Sequence, residues 1–89
     1  MADPIFIDIP EGKVWTLVAS NVTTGQIHKA ILTPDYFHSY RDTGNPPPPS
    51  NEIGIPILNI SAKICAPASS PIDVYIQCPT KEGRVRVDL

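Results

Sequence analysis

A chain of 89 residues, 42% hydrophobic and 18% charged, has the balance of one folded domain and lies outside the apolar-poor, highly charged range of disordered chains. A net charge of −2 without a basic cluster excludes the counterion-release drive behind most nucleic-acid binding, and no apolar run reaches the ~20 residues that span a bilayer. Eleven prolines exclude long helices, because each removes a backbone donor, and a domain this short buries only ~60% of its unfolded surface, so its core is thin.

Residues 5–9 alternate Ile5, Ile7 and Ile9 with Phe6 and Asp8 before Pro10, Glu11 and Gly12. This predicts a strand within residues 1–10 that is either an edge or is exchanged with a neighbouring copy. Residues 14–19 place Trp15, Leu17 and Ala19 on one face and Val14, Thr16 and Val18 on the other, which predicts an internal strand with Trp15 in the core. Asn21 and Gly25 bound a turn cluster and suit the positive φ angles of hairpin turns. Residues 26–32 form the next strand, and the aromatic-rich segment 36–41, with Tyr36, Phe37 and Tyr40, a short one after Pro34.

Residues 43–54 form a proline-rich loop that splits the chain, with Pro46, Pro47, Pro48 and Pro49 in polyproline-like extension. Such a stiff arm, held away from the body, has little entropy to lose on docking. Segments 55–60 and 62–66 resume the apolar pattern, Pro56 marking an edge position, and a small-residue turn follows at 66–71. Segments 72–78 and 84–89 alternate cleanly as half-buried strands, and the five residues Pro79, Thr80, Lys81, Glu82 and Gly83 predict a hairpin between them. The expected fold is all-β: one domain over 1–89, a compact sandwich or barrel of seven or eight short antiparallel strands with a proline-rich central loop.

Constellations that carry chemistry are missing from this pattern. The histidines are only His28 and His38, Cys65 and Cys78 form no CxxC pair, and the five glycines are isolated turn residues. No GxSxG-like turn presents a serine, and Asp35, Asp42 and Glu52 lack the deep cleft that paired catalytic carboxylates need. The expectation is a protein with no enzymatic activity, no metal and no cofactor. The opening Met1, Ala2, Asp3 and Pro4 lack a basic start and an apolar stretch, so the two cysteines are expected unbridged in a reducing compartment.

Gly12-Lys13-Val14-Trp15-Thr16-Leu17-Val18, then Asn21-Val22-Thr23-Thr24-Gly25, Tyr40-Arg41-Asp42-Thr43-Gly44, Pro71-Ile72-Asp73-Val74-Tyr75-Ile76 and the closing Gly83-Arg84-Val85-Arg86-Val87-Asp88 run through most of the chain. In these segments it resembles the short β-rich virion structural proteins of tailed bacteriophages. The resemblance implies a capsid decoration or cement protein, made in the host cytoplasm and carried on the virion. Such a protein binds capsid or other virion proteins and associates with itself, a trimer being favoured. It implies no catalytic residues, no nucleic-acid ligand and no membrane. A neck or tail adaptor is the alternative within the same class, and a carbohydrate-binding module of a host-recognition structure the alternative outside it. The expected contact residues are Ile5, Ile7, Tyr36, Phe37, Tyr40, Pro46, Pro47, Pro48 and Pro49.

Overall fold

The computed structural model describes residues 4–66 and 70–89, and these are all-β. The small-residue turn expected at 66–71 lies largely outside them. Eight strands run in chain order: β1 (Ile5–Ile9), β2 (Gly12–Val22), β3 (Thr24–Lys29), β4 (Phe37–Asp42), β5 (Ile55–Pro56), β6 (Ser61–Cys65), β7 (Ile72–Cys78) and β8 (Gly83–Asp88). They form two four-stranded antiparallel sheets, β1-β8-β3-β6 and β2-β7-β4-β5. One core joins them: Ile9, Ile27, Ile64, Val85 and Val87 from the first sheet face Val18, Ile72, Val74, Ile76 and Cys78 from the second.

Chain neighbours mostly lie in opposite sheets, and this corrects the pairing expected from the turns. β7 and β8 make no hairpin, for Pro79 to Glu82 carry the chain from the second sheet to the first. β7 pairs instead with β2 and β4, and β8 with β1 and β3. The turn near Asn21 likewise passes from β2 in one sheet to β3 in the other. Its expected positive φ angles are present, 56° at Asn21 and 157° at Gly25. At Gly25 space is a second reason for glycine, since a Cβ would lie 2.9 Å from Leu89 Cδ2 and 3.0 Å from the Asp88 carbonyl.

Three further expectations change. β2 is an edge strand and not an internal one, and its bulges let the long strand follow β7 through three register shifts. The strand expected over 55–60 is only Ile55–Pro56, because the chain leaves β4 at Ile57, whose N–H still reaches the Tyr36 carbonyl at 2.8 Å, and turns toward the other sheet. Of the two placements expected for the first strand, the edge is the one found, paired with β8 of its own chain from Ile5 opposite Val87 to Ile9 opposite Gly83. β7, expected half-buried, is buried at all seven positions.

Candidate functional site

The full burial of β7 needs a cover on its outward side. Ile72, Val74, Ile76 and Cys78 belong to the core, so alternation sends Asp73, Tyr75 and Gln77 to the opposite face. There they stand beside Arg41, Ser39 and Phe37 of β4, their directly opposed partners. An uncovered sheet face would be wet, yet Asp73, Tyr75 and Gln77 are only 7%, 7% and 5% exposed.

The cover is the proline-rich loop, which folds back as a strap. Trp15 Nε1 donates to the Pro49 carbonyl at 3.0 Å, Ser39 Oγ donates to a Glu52 carboxylate oxygen, and the Arg41 guanidinium pairs with the other oxygen of Glu52. The Ser39 and Arg41 hydrogen bonds hold the Glu52 carboxyl below the usual carboxylate range. At Gly54 the strap lies so close that a Cβ would sit 2.5 Å from the Trp15 ring and 2.9 Å from the His38 carbonyl. Asp73 anchors the start of the strap. Burial pushes its carboxyl up, but hydrogen bonds from Ser20 Oγ (2.8 Å), Asn21 N–H (3.0 Å), Thr43 Oγ1 (3.2 Å) and the Gly44 backbone outweigh burial and hold it low.

The nine expected contact residues therefore divide. Tyr36 is a correction: at 1% exposure it is core. Its hydroxyl accepts from Arg84 N–H (3.1 Å) and donates to the Ile31 carbonyl (2.5 Å), with the Arg84 carbonyl also in reach at 3.0 Å. Burial accordingly raises its pKa. The arm is a correction too, because Pro48 is buried and Pro49 is bonded to Trp15, although Pro46, Pro47 and Pro49 keep exposed side chains. Trp15 itself is part-exposed beneath the strap and is not a core residue. Phe37 and Tyr40 are half-buried, Tyr40 meeting His38 edge-to-face at 4.8 Å, and burial raises the pKa of Tyr40 and lowers that of His38. Ile5 is exposed and Ile7 half-buried on the β1 edge.

Sequence reasoning missed the most exposed apolar segment. Ile53 (92%), Ile55 (57%), Leu58 (85%) and Ile60 (63%) lie within eight residues that run from the strap past β5 to the start of β6. Large apolar side chains in a cluster are the usual mark of an interaction surface, whereas single ones are ordinary. The signal was present as two period-two pairs, 53 with 55 and 58 with 60, and each reads equally well as part of a buried strand.

A small pocket of about 150 Å³ opens where the strap crosses the Cys78 end of β7, with Lys13, Phe37, Glu52, Ile53, Gln77 and Pro79 among its walls. Among the described residues no three His, Cys, Asp or Glu side chains converge as metal ligands would. Cys65 is exposed and Cys78 buried, and both are free thiols. Comparison of the chain with protein-family models, with curated proteins and with solved structures finds no match.

Proposed function

We propose that this chain is a structural protein of a tailed-phage particle, a decoration subunit that binds the assembled head and does no chemistry. The observation that carries this reading is the apolar run from Ile53 to Ile60 beside the two-residue edge strand β5. Burying it against a neighbouring subunit removes four large side chains from water, each worth ~1.5–3 kcal/mol when fully covered. The short edge β5 and the edge β6 offer unpaired backbone groups along the same rim, and a second chain can complete them. Attachment specific to the assembled shell stabilises that shell by mass action, and many copies acting together multiply a weak contact. The sugar-binding alternative draws less support, because Tyr36 has no open face and Trp15 is tied to the strap.

The test is uptake of purified protein by particles that lack it. Saturable uptake with a rise in the heat resistance of the heads supports the reading, and Leu58→Asp with Ile60→Asp should weaken uptake at least tenfold while leaving the β-rich circular dichroism unchanged. Wild-type protein that stays in the supernatant would rule it out. Light scattering measures the accompanying expectation, a trimer.

A further inference from the structure

The parity of the backbone hydrogen bonds determines which groups the two edges of the first sheet leave open. In β8 the Arg84 carbonyl accepts from Ala30 N–H at 2.9 Å, so residues 84, 86 and 88 turn their backbone groups to β3, and residues 83, 85 and 87 turn theirs to β1. Ile5, Ile7 and Ile9 stand opposite the latter and are paired, so Phe6 and Asp8 direct their N–H and C=O groups away from the sheet. In β6 the Ile60 carbonyl accepts from Lys29 N–H at 2.7 Å and Ala66 N–H donates to the Thr23 carbonyl at 2.9 Å. That pairs the even positions with β3 and leaves Ser61, Lys63 and Cys65 open on the outer side. The edges of the other sheet are blunted, β2 by its bulges and β5 by its length of two residues and Pro56. Pro4 and Pro10 flank β1 and carry no N–H, so that edge offers donors only at Phe6 and Asp8.

We propose that β1 of one copy pairs antiparallel with β6 of a second copy, which joins chains head to tail through a continuous sheet. Direction permits it. Each strand of β1-β8-β3-β6 is antiparallel to its neighbour, so the two edges run oppositely, and a copy set alongside by rotation about the strand direction brings its β6 antiparallel to β1. Charge fixes the register. With Asp8 opposite Lys63 and Phe6 opposite Cys65, every open backbone group of Phe6 and Asp8 finds a partner and a carboxylate meets an ammonium; on the core side Ile7 meets Ile64 and Ile9 meets Ala62. The Asp8 side chain is 75% exposed and holds Arg84 through one oxygen at 2.6 Å, which leaves the second for Lys63, a side chain with no ion pair among the described residues. A shift of two residues sets Phe6 against Lys63 and loses the pair. Pairing β6 with β6 over all three open residues sets Lys63 against Lys63, and pairing β1 with β1 leaves β6 uncovered. The inference rests on the reading of the chain as a self-associating structural subunit and names the surfaces through which it associates.

The experiment is oxidative cross-linking of the full chain carrying Phe6→Cys, a change at a side chain that is 60% exposed. Within one chain position 6 and Cys65 lie three strand spacings apart, ~14 Å, too far for a disulfide, whereas the proposed contact sets them directly opposite. Mild oxidation should yield linked species larger than dimers, with position 6 joined to Cys65 in the mapped peptides, and Asp8→Cys should cross-link several-fold more slowly. In the chain with its native Phe6, Lys63→Glu should weaken self-association about tenfold in sedimentation equilibrium, and Asp8→Lys added to it should restore the association, because the opposed charges are unlike again. A wild-type chain that sediments as a monomer, an oxidised Phe6→Cys chain without the bridge to Cys65, or a double variant as weak as the single one would overturn the proposal. Particle uptake is read separately: cross-linking without uptake refutes the decoration role and leaves the contact standing, and uptake of a chain that does not cross-link does the reverse.

Discussion

Replacing Tyr36 with Phe isolates one hydroxyl at the junction of the two sheets. The ring stays, and with it its place in the buried core and the Lys29 ammonium 5.5 Å from the ring centroid. What goes is the bond donated to the Ile31 carbonyl and the bond accepted from Arg84 N–H. The Arg84 carbonyl loses little, since Ala30 N–H also reaches it at 2.9 Å. Two lost bonds at about 1 kcal/mol each put the cost near 2 kcal/mol, with the stranded Arg84 N–H able to raise it toward 3. In a domain of this size that lowers Tm by roughly 8–16 °C, a large part of a total stability of ~5–15 kcal/mol. Urea unfolding followed by far-ultraviolet circular dichroism and by Trp15 fluorescence measures it, and agreement of the two probes confirms a single transition. Tyr40→Phe is the control, because the Tyr40 hydroxyl bonds to nothing among the described residues, and it should stay within about 0.5 kcal/mol. A Tyr36→Phe loss below about 0.5 kcal/mol would refute the structural role given to the hydroxyl.

Gly83→Ala places a Cβ 2.7 Å from the Tyr36 hydroxyl and 2.9 Å from Cys78 Sγ, and should cost about 1–3 kcal/mol; combined with Tyr36→Phe the total should fall short of the sum, since one change relieves the other. Glu52 and Asp73 both titrate below the ordinary carboxylate range in the folded state, so the unfolded chain binds more protons there: their stabilisation is complete above pH ~5 and is lost as pH falls through their folded values. Glu52→Gln should therefore flatten the acid limb of the stability curve, and an unchanged limb would count against the hold of Ser39 and Arg41 on Glu52. Cys78, fully buried with its thiol pushed up to about 11, should react with Ellman's reagent only after unfolding, whereas the exposed Cys65 should react at once, giving one fast thiol per chain.

Strand positions were legible because period-two alternation is a local property. Segments 5–9, 72–78 and 84–89 agree with β1, β7 and β8 to within a residue. Partners were not legible, since alternation says which side chains share a face and nothing about which strand lies alongside. Four polar or proline residues between two strands suit a hairpin and a sheet-to-sheet crossing equally, and here the crossing wins. Asp73, Tyr75 and Gln77 looked like a solvated face because their chemistry is polar. The strap that covers this face lies about twenty to thirty residues away in sequence, held by Trp15, Ser39 and Arg41, and no local pattern announces such a lid. Tyr36 misled for a related reason: an aromatic hydroxyl is as much at home in a core that supplies three backbone partners as on a contact surface.

The strand order also bears on how the protein can be made. β7 and β8, which follow the other six strands in the chain, occupy central positions in the two sheets, and among the described strands only β4 and β5 pair across a short stretch of chain. Neither sheet can close until β7 and β8 have been synthesised, and folding then has to join distant segments, which slows it. During that interval Ile5, Ile7, Ile9 and Val14 stay exposed to water. Removing β8 would leave β1 without the strand it pairs with among the described residues, so a chain that stops before Gly83 should be insoluble and not a smaller folded domain.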